Sequence, residues 1–298
     1  MRIVRKDSYF YLRHTYRKDG KIVTKERYLG KEIPKNIEEI KQELRQESQK
    51  VLYDKLEKIR ASFQLEWKRL PKSARRRENE EIAIAFTYNT NAIEGSTITL
   101  EETREILVEQ IAPNKPLKDI RETEAHAKVF LKMLDNLNSA SSRTRKIAGS
   151  QFFHKREKIS KELLLKWHKE IFGETKPDIA GRYRDFLVRV GTYVAPDWQD
   201  VEALMKALVK FVNEAKMNPV ELAGKAHYRF EKIHPFGDGN GRIGRLLMNH
   251  ILWHSGYPML IIEYAKRSSY YKALRRGEDG FANYFIRRYL TVHKKRYL

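Results

Sequence analysis

The 298-residue chain contains no cysteine, which removes disulfides and thiolate metal sites from consideration and fits a reducing compartment. It also lacks any long uninterrupted apolar run. The most apolar late stretch, residues 248–262, is broken by Asn249, His250, His254, Ser255, Gly256 and Pro258 and is too short to span a bilayer. Met1 to Phe10 is charged and has no apolar h-region, so no secretory signal is visible. These absences lead to the expectation of a soluble, cytoplasmic protein with no membrane partner. Negative charge is scarce as well: 39 Asp and Glu stand against 60 Lys and Arg, a formal balance of +21. A surface of that sign attracts phosphate-bearing partners, although a solvated Lys- and Arg-rich surface needs none.

What is present divides into three stretches. Residues 1–35 alternate aromatic and polar positions through Tyr9 to Tyr16 and again through Ile22 to Leu29, with Asp19-Gly20 between them, the pattern of a β-hairpin. Eleven Lys and Arg against four Asp and Glu make this hairpin a basic module. Residues 36–79 carry Ile40, Leu44, Val51, Leu52, Leu56, Ile59 and Phe63 at three- and four-residue steps, predicting one long amphipathic helix. Pro71 is expected to end it, with Arg75-Arg76-Arg77 as a linker. Residues 80–298 form the third stretch. There helical periodicity recurs at about 80–93, 99–111, 117–136, 160–173, 199–215, 219–233, 242–255 and 267–292. It is interrupted by a Ser- and Arg-rich loop around 139–149 and a short β-like run from Phe186 to Val194.

The segment richest in chemistry is His234-Pro-Phe-Gly-Asp-Gly-Asn-Gly-Arg-Ile-Gly-Arg245. Gly237, Gly239 and Gly241 let a backbone approach a ligand closely, and the amides at the start of the following helix favour an anion. Arg242 and Arg245, three apart, share one helix face and can reach the same polyphosphate. Asp238 places a carboxylate where a divalent ion beside phosphates would want one, and Asn240 adds a neutral polar contact. His234 can accept a proton near neutral pH. No Ser or Cys nucleophile lies in the segment, so direct attack of an acceptor hydroxyl on a phosphate is the economical mechanism.

This segment resembles, at every specified position, the signature of the Fic family, His-x-Phe-x-Asp/Glu-Gly-Asn-Gly-Arg-x-x-Arg. The resemblance implies an all-α Fic fold, a helical bundle with a small β-hairpin flap, here preceded by the basic hairpin and the long helix. It implies a protein adenylyltransferase that moves AMP from ATP, with Mg²⁺, to a Ser, Thr or Tyr hydroxyl of a target protein. In that reading His234 is the base, Phe236 anchors the loop and Asp238 is the magnesium ligand. Gly239, Asn240 and Gly241 form the anion hole for the inner phosphates, and Arg242 and Arg245 hold the outer ones. Doc-type kinases carry Lys where this chain has Gly241, so Gly241 with Arg242 favours AMP transfer.

Thr90-Asn-Ala-Ile-Glu94-Gly95 resembles the inhibitory motif of Fic proteins, which implies a Glu94 carboxylate paired with Arg245 in the place a γ-phosphate needs. Its plain reading is a helix end terminated by Gly95. Val188-Arg189-Val190-Gly191, within a run from Gly181, resembles the flap that holds the target segment by main-chain hydrogen bonds. Arg267 to Leu274 resembles the helix lining the adenine pocket and brings Tyr270 and Tyr271 forward; aromatics so spaced are also ordinary core residues. His168 and His227 have no tight ligand spacing and are expected to be structural. The partners expected are ATP and a target protein, and the charge leaves room for nucleic acid at the N-terminal hairpin and for a homodimer. The alternatives kept open are removal of AMP, transfer of another nucleotide, and a nucleic-acid-binding regulator using the site as a ligand sensor.

Overall fold

The computed structural model describes residues 1–18, 21–143 and 158–298. Asp19-Gly20, expected as the hairpin turn, and residues 144–149 of the expected Ser- and Arg-rich loop lie outside the described residues. Two compact units make up the chain, Met1–Ile59 with Leu298, and Arg60–Tyr297.

In the first unit the sheet has three strands rather than the expected hairpin alone. β1 (Arg2–Lys6), β2 (Tyr9–Lys18) and β3 (Lys21–Gly30) pair antiparallel in that order. β1 went unread because Arg-Ile-Val-Arg-Lys places its two apolar residues side by side, with no alternation. Asp7, at φ 53°, turns the chain into β2. Leu12 is fully buried opposite Ile3, while Tyr11 lies opposite Tyr28 with ring centroids 5.5 Å apart. Lys6 and Arg13 both pair with Glu26 at 2.6 Å. The long helix α1 (Ile37–Arg69) follows, with Glu43 on it 3.3 Å from Arg27 of β3.

The second unit begins with the last turns of α1, where Phe63 and Trp67 pack with Trp253 and the Tyr297 ring. Pro71 does stop α1, but no linker follows it. α2 (Lys72–Ile93) starts at once, with Pro71 as its extended N-cap residue at ψ 161°. Arg75, Arg76 and Arg77 are therefore helical. Lys, Ala, Arg and Glu are all strong helix formers; Arg76 and Arg77 are exposed, Arg75 donates to the Lys68 carbonyl at 3.1 Å, and the apolar stripe begins only at Ile82 and Ala83.

α3 (Leu100–Arg104) opens with a capping box between Thr99 and Glu102 and runs on into a π-helical turn, Glu105–Glu109. α4 (Leu117–Arg143) continues through Ser139, where a loop was expected. α5 (Lys161–Phe172) starts from Ser160, whose side chain accepts from the Leu163 amide. The short hairpin β4 (Arg189–Val190) and β5 (Tyr193–Val194) comes next, then α6 (Val201–Glu214), α7 (Pro219–Ile233) and α8 (Asn240–His254). Every residue of α8 is buried, the mark of a helix at the centre of a bundle. The last predicted helix is two, α9 (Arg267–Leu274) and α10 (Gly277–Tyr297), parted at Gly277 with φ 78°.

The unit is thus a helical bundle around α7 and α8, with α2 and α4 on one flank joined by Phe86 against Phe130 at 4.6 Å. Among the described residues no helix is long and apolar enough to cross a membrane.

Candidate active site

α7 ends because His234 takes the left-handed conformation, φ 50° and ψ 59°, while its N–H still bonds the Phe230 carbonyl. A non-glycine residue held there signals a position fixed by its surroundings. The surroundings are identifiable. Arg184, only 4% exposed, donates Nε to the His234 carbonyl at 2.8 Å and its other nitrogens to the carbonyls of Phe186, Pro196 and Ile233.

The loop from His234 to α8 is braced from within. Phe236 is fully buried and stacks on His168 at 3.9 Å. The Asn240 side chain is wholly engaged with the Phe236 backbone, accepting from its N–H at 2.9 Å and donating to its carbonyl at 2.8 Å. Any contact of residue 240 with an anion therefore comes from its backbone amide. His168 accepts from the Gly181 N–H and, with its other ring nitrogen, bonds the Asp238 carbonyl at 3.0 Å. It is a loop brace, and among the described residues no group of three His, Asp or Glu could hold a metal by itself.

Gly239 is required twice over. Its φ is 77°, and a Cβ there would sit 2.3 Å from the Phe172 ring. The loop thereby delivers the first amides of α8 with no side-chain cap, a site ready for an anion. A carboxylate already stands over it: a Cβ on Gly241 would lie 2.1 Å from Glu94 Oε1.

Glu94 is the C-cap of α2, with Gly95 at φ 95° just beyond, so the sequence's plain reading of a helix end and the carboxylate's special placement coexist. Glu94 Oε1 accepts from Arg245 at 2.6 Å, and Thr90 accepts from the same guanidinium through Oγ1 at 2.6 Å and its carbonyl at 3.1 Å. Arg245 is 1% exposed. Burial, the largest influence, works against its charge, but Glu94 together with Tyr270 and Glu231 leaves its pKa raised.

Arg242 does not join Arg245 on one partner. It forms an ion pair with Glu122 of α4, both buried, and lies 3.9 Å from Asp238. Lys176 completes this second cluster, 2.9 Å from Glu122 and 2.6 Å from Asp238 Oδ2. Burial would raise the Asp238 pKa; Lys176 reverses this and holds it below the usual carboxylate value.

His234 Nδ1 lies 3.3 Å from the Glu231 carbonyl, a geometry in which Nδ1–H donates and Nε2 is left as the acceptor. Burial, the largest influence, pushes its pKa below 6.5. Glu231 itself, one turn back, is largely buried beside Arg245 and Glu94, and burial raises its pKa to about 8. Tyr193 of β5 donates to the Lys232 carbonyl at 2.8 Å, tying the β4–β5 hairpin to the end of α7. In that hairpin Arg189 pairs with Val194 and Val190 with Tyr193, Gly191 turns at φ 60°, and the Val188 carbonyl accepts from Ala195. Tyr270 is buried with its hydroxyl 2.7 Å from His227 Nε2, whereas Tyr271 is 41% exposed.

Sequence reading thus assembled the loop, Thr90, Glu94 and Arg245, but passed over Glu122, Lys176, Arg184 and Glu231. Only Glu122, an acid on the apolar side of α4, carried a signal that could have been followed.

A helical bundle presenting an uncapped, glycine-lined helix N-terminus, with a histidine at its rim, has the geometry to receive an anion. Residues 158–252 match the family model described as Fic/DOC family, and the chain belongs to that family. It is 36% identical over 215 residues to Protein adenylyltransferase Fic of Nematostella vectensis, covering 71% of this chain and 47% of that protein. The Drosophila ananassae protein of the same name is 34% identical over 218 residues, 72% of this chain and 41% of that one. The chain therefore spans less than half the length of these curated relatives. Among solved structures, Fic-1 from C. elegans is similar with TM-score 0.66 and 27% identity, covering 85% of this chain and 72% of that chain. A Fic domain containing signaling protein from Bacteroides thetaiotaomicron gives TM-score 0.61 and 28% identity, over 82% and 90%.

Gly239→Ala adds both backbone strain and overlap with Phe172, so it should destabilise the second unit by about 2–4 kcal/mol. A lowered urea midpoint at unchanged slope would show this, and an unchanged midpoint would contradict the packing described.

Proposed function

We propose that this chain is a protein adenylyltransferase, moving AMP from ATP to a Ser, Thr or Tyr hydroxyl of a target protein, and that Glu94 restrains it. Relatives named as adenylyltransferases support the reaction class. The observation that carries the restraint is the Glu94–Arg245 pair lying over Gly241, where the anion hole would receive phosphates.

In this reading His234 Nε2 takes the proton of the acceptor hydroxyl as its oxygen attacks the α-phosphorus. The new O–P bond forms as the bond from the α-phosphorus to the bridging oxygen breaks, and pyrophosphate leaves. The backbone amides of Asn240 and Gly241 meet the developing charge, and Arg245, once released by Glu94, serves an outer phosphate. Phe236 holds the loop, and the β4–β5 hairpin with its exposed Val190 and Val194 offers a strand edge to the target. Tyr271, half in solvent, is the better placed of the two tyrosines to meet a base.

A half-exposed Asp238, with no second carboxylate committed to a metal, fits a Mg²⁺ ion that arrives on the nucleotide and keeps its phosphate and water ligands. The ion would supply charge neutralisation on the phosphates.

Nucleic acid is a second partner class, favoured by one observation. The face of the N-terminal sheet that carries Tyr9, Tyr11 and Tyr28 also carries Lys6 and Arg13, two cations sharing the single carboxylate of Glu26, with the Lys6 ammonium 5.2 Å from the Tyr11 ring. Retention of a fluorescent oligonucleotide that weakens with salt and persists in His234→Ala would support it; no retention at low salt would exclude it.

Glu94→Gly should raise label transfer from α-labelled ATP at least tenfold, and Arg245→Ala should abolish it. Equal transfer by wild type and Glu94→Gly overturns the restraint. Release of AMP from a modified protein with no transfer points to the reverse reaction, and labelling by another triphosphate in preference to ATP corrects the substrate.

Because a neutral imidazole is required and burial depresses the His234 pKa, activity of Glu94→Gly should hold as pH falls to 6.5 and decline only below it. An acid limb centred above 6.5 contradicts His234 as the base.

A further inference from the structure

The loop carboxylate that fits a metal is already neutralised by the chain itself. Lys176 follows α5 in the turn after Phe172, and its ammonium sits 2.6 Å from Asp238 Oδ2 and 2.9 Å from Glu122 Oε1, with its side chain only 13% exposed. The Phe172 ring lies 4.7 Å beneath it, and the same ring carries the Arg242 guanidinium at 4.3 Å. The cluster is balanced: two cations, Lys176 and Arg242, face two carboxylates, Glu122 and Asp238. A divalent ion on Asp238, at about 2.1 Å from its oxygen, would stand within a few ångströms of a fixed ammonium. That repulsion opposes metal entry unless Lys176 withdraws.

A place to withdraw to exists. Glu122 is buried, accepts from Arg242 through Oε2 and from Thr175 through Oε1, and already shares Oε1 with Lys176. Asp238 is half exposed, with Oδ1 held by the Gly239 N–H at 2.6 Å and Oδ2 the oxygen that Lys176 covers.

We propose that Lys176 is the resident counter-cation of Asp238: it closes that carboxylate in the free protein and is displaced onto Glu122 when a divalent ion enters with the nucleotide, so that it sets how strongly nucleotide binding depends on metal. Lys176 is a positioning residue in this scheme. The inference rests on the nucleotide site proposed above.

The measured quantity is the ratio of the ATP dissociation constant in EDTA to that in saturating Mg²⁺, taken by calorimetry on Glu94→Gly protein. Adding Lys176→Gln removes the competing charge, so the gain on adding Mg²⁺ should grow about tenfold, whereas Lys176→Arg should leave the ratio within about twofold. Lys176→Met keeps the aliphatic stem over Phe172 and serves if the Gln variant melts early. An unchanged ratio in both neutral variants overturns the inference while leaving the site intact. ATP affinity lost equally with and without metal also overturns it, since Lys176 would then be a phosphate ligand. No ATP binding by the Glu94→Gly protein overturns this inference and the nucleotide site together.

Discussion

A guanidinium with 1% of its surface in water must have a counter-charge, and in the second unit that constraint falls on Arg245. Its carboxylate comes from 151 residues away, at the end of α2. Meeting this one demand brings the end of α2 against α8, places Thr90 where its hydroxyl and carbonyl finish the guanidinium's hydrogen bonding, and sets Glu94 close against Gly241. The anion site and the carboxylate covering it are two sides of one electrostatic requirement. A phosphate is the other species that could satisfy Arg245, which is why exchange between Glu94 and a nucleotide is physically reasonable.

The two arginines of the loop motif divide the work. Arg245 faces α2 and a partly exposed partner, Glu94, whose side chain is 30% exposed. Arg242 faces α4 and a buried one, Glu122, from which α4 and α8 are held together near the loop. A sequence reading that put both on one polyphosphate treated helical spacing as if it fixed destination. Residues three apart share a face, but a buried helix has neighbours all round, and α2 and α4, packed on each other as well as on α8, take one side chain each.

What the sequence disclosed depended on how local the cause was. The hydrophobic periods, Pro71, Gly95 and the glycines of the loop after His234 act within a few residues, so most elements and the loop could be read, whereas the break at Gly277 inside the last expected helix was not. The N-terminal half of α2 was missed because its arginines look like a linker when no apolar stripe accompanies them, and β1 because five residues with adjacent apolar positions show no period. Glu122 and Arg242 meet across 120 residues, and Arg184 reaches His234 across 50. Such pairings are products of the assembled bundle, and no window of sequence contains them.

The fixing of His234 by Arg184 bears on how the domain tolerates its environment. The guanidinium spends its hydrogen bonds on four peptide oxygens, those of Ile233, His234, Phe186 and Pro196. Peptide oxygens do not ionise in the biological range, so this brace on the His234 backbone carries no titrating partner of its own. Titration near the loop is left to side chains such as Asp238 and Glu231, whose charge depends on their neighbours.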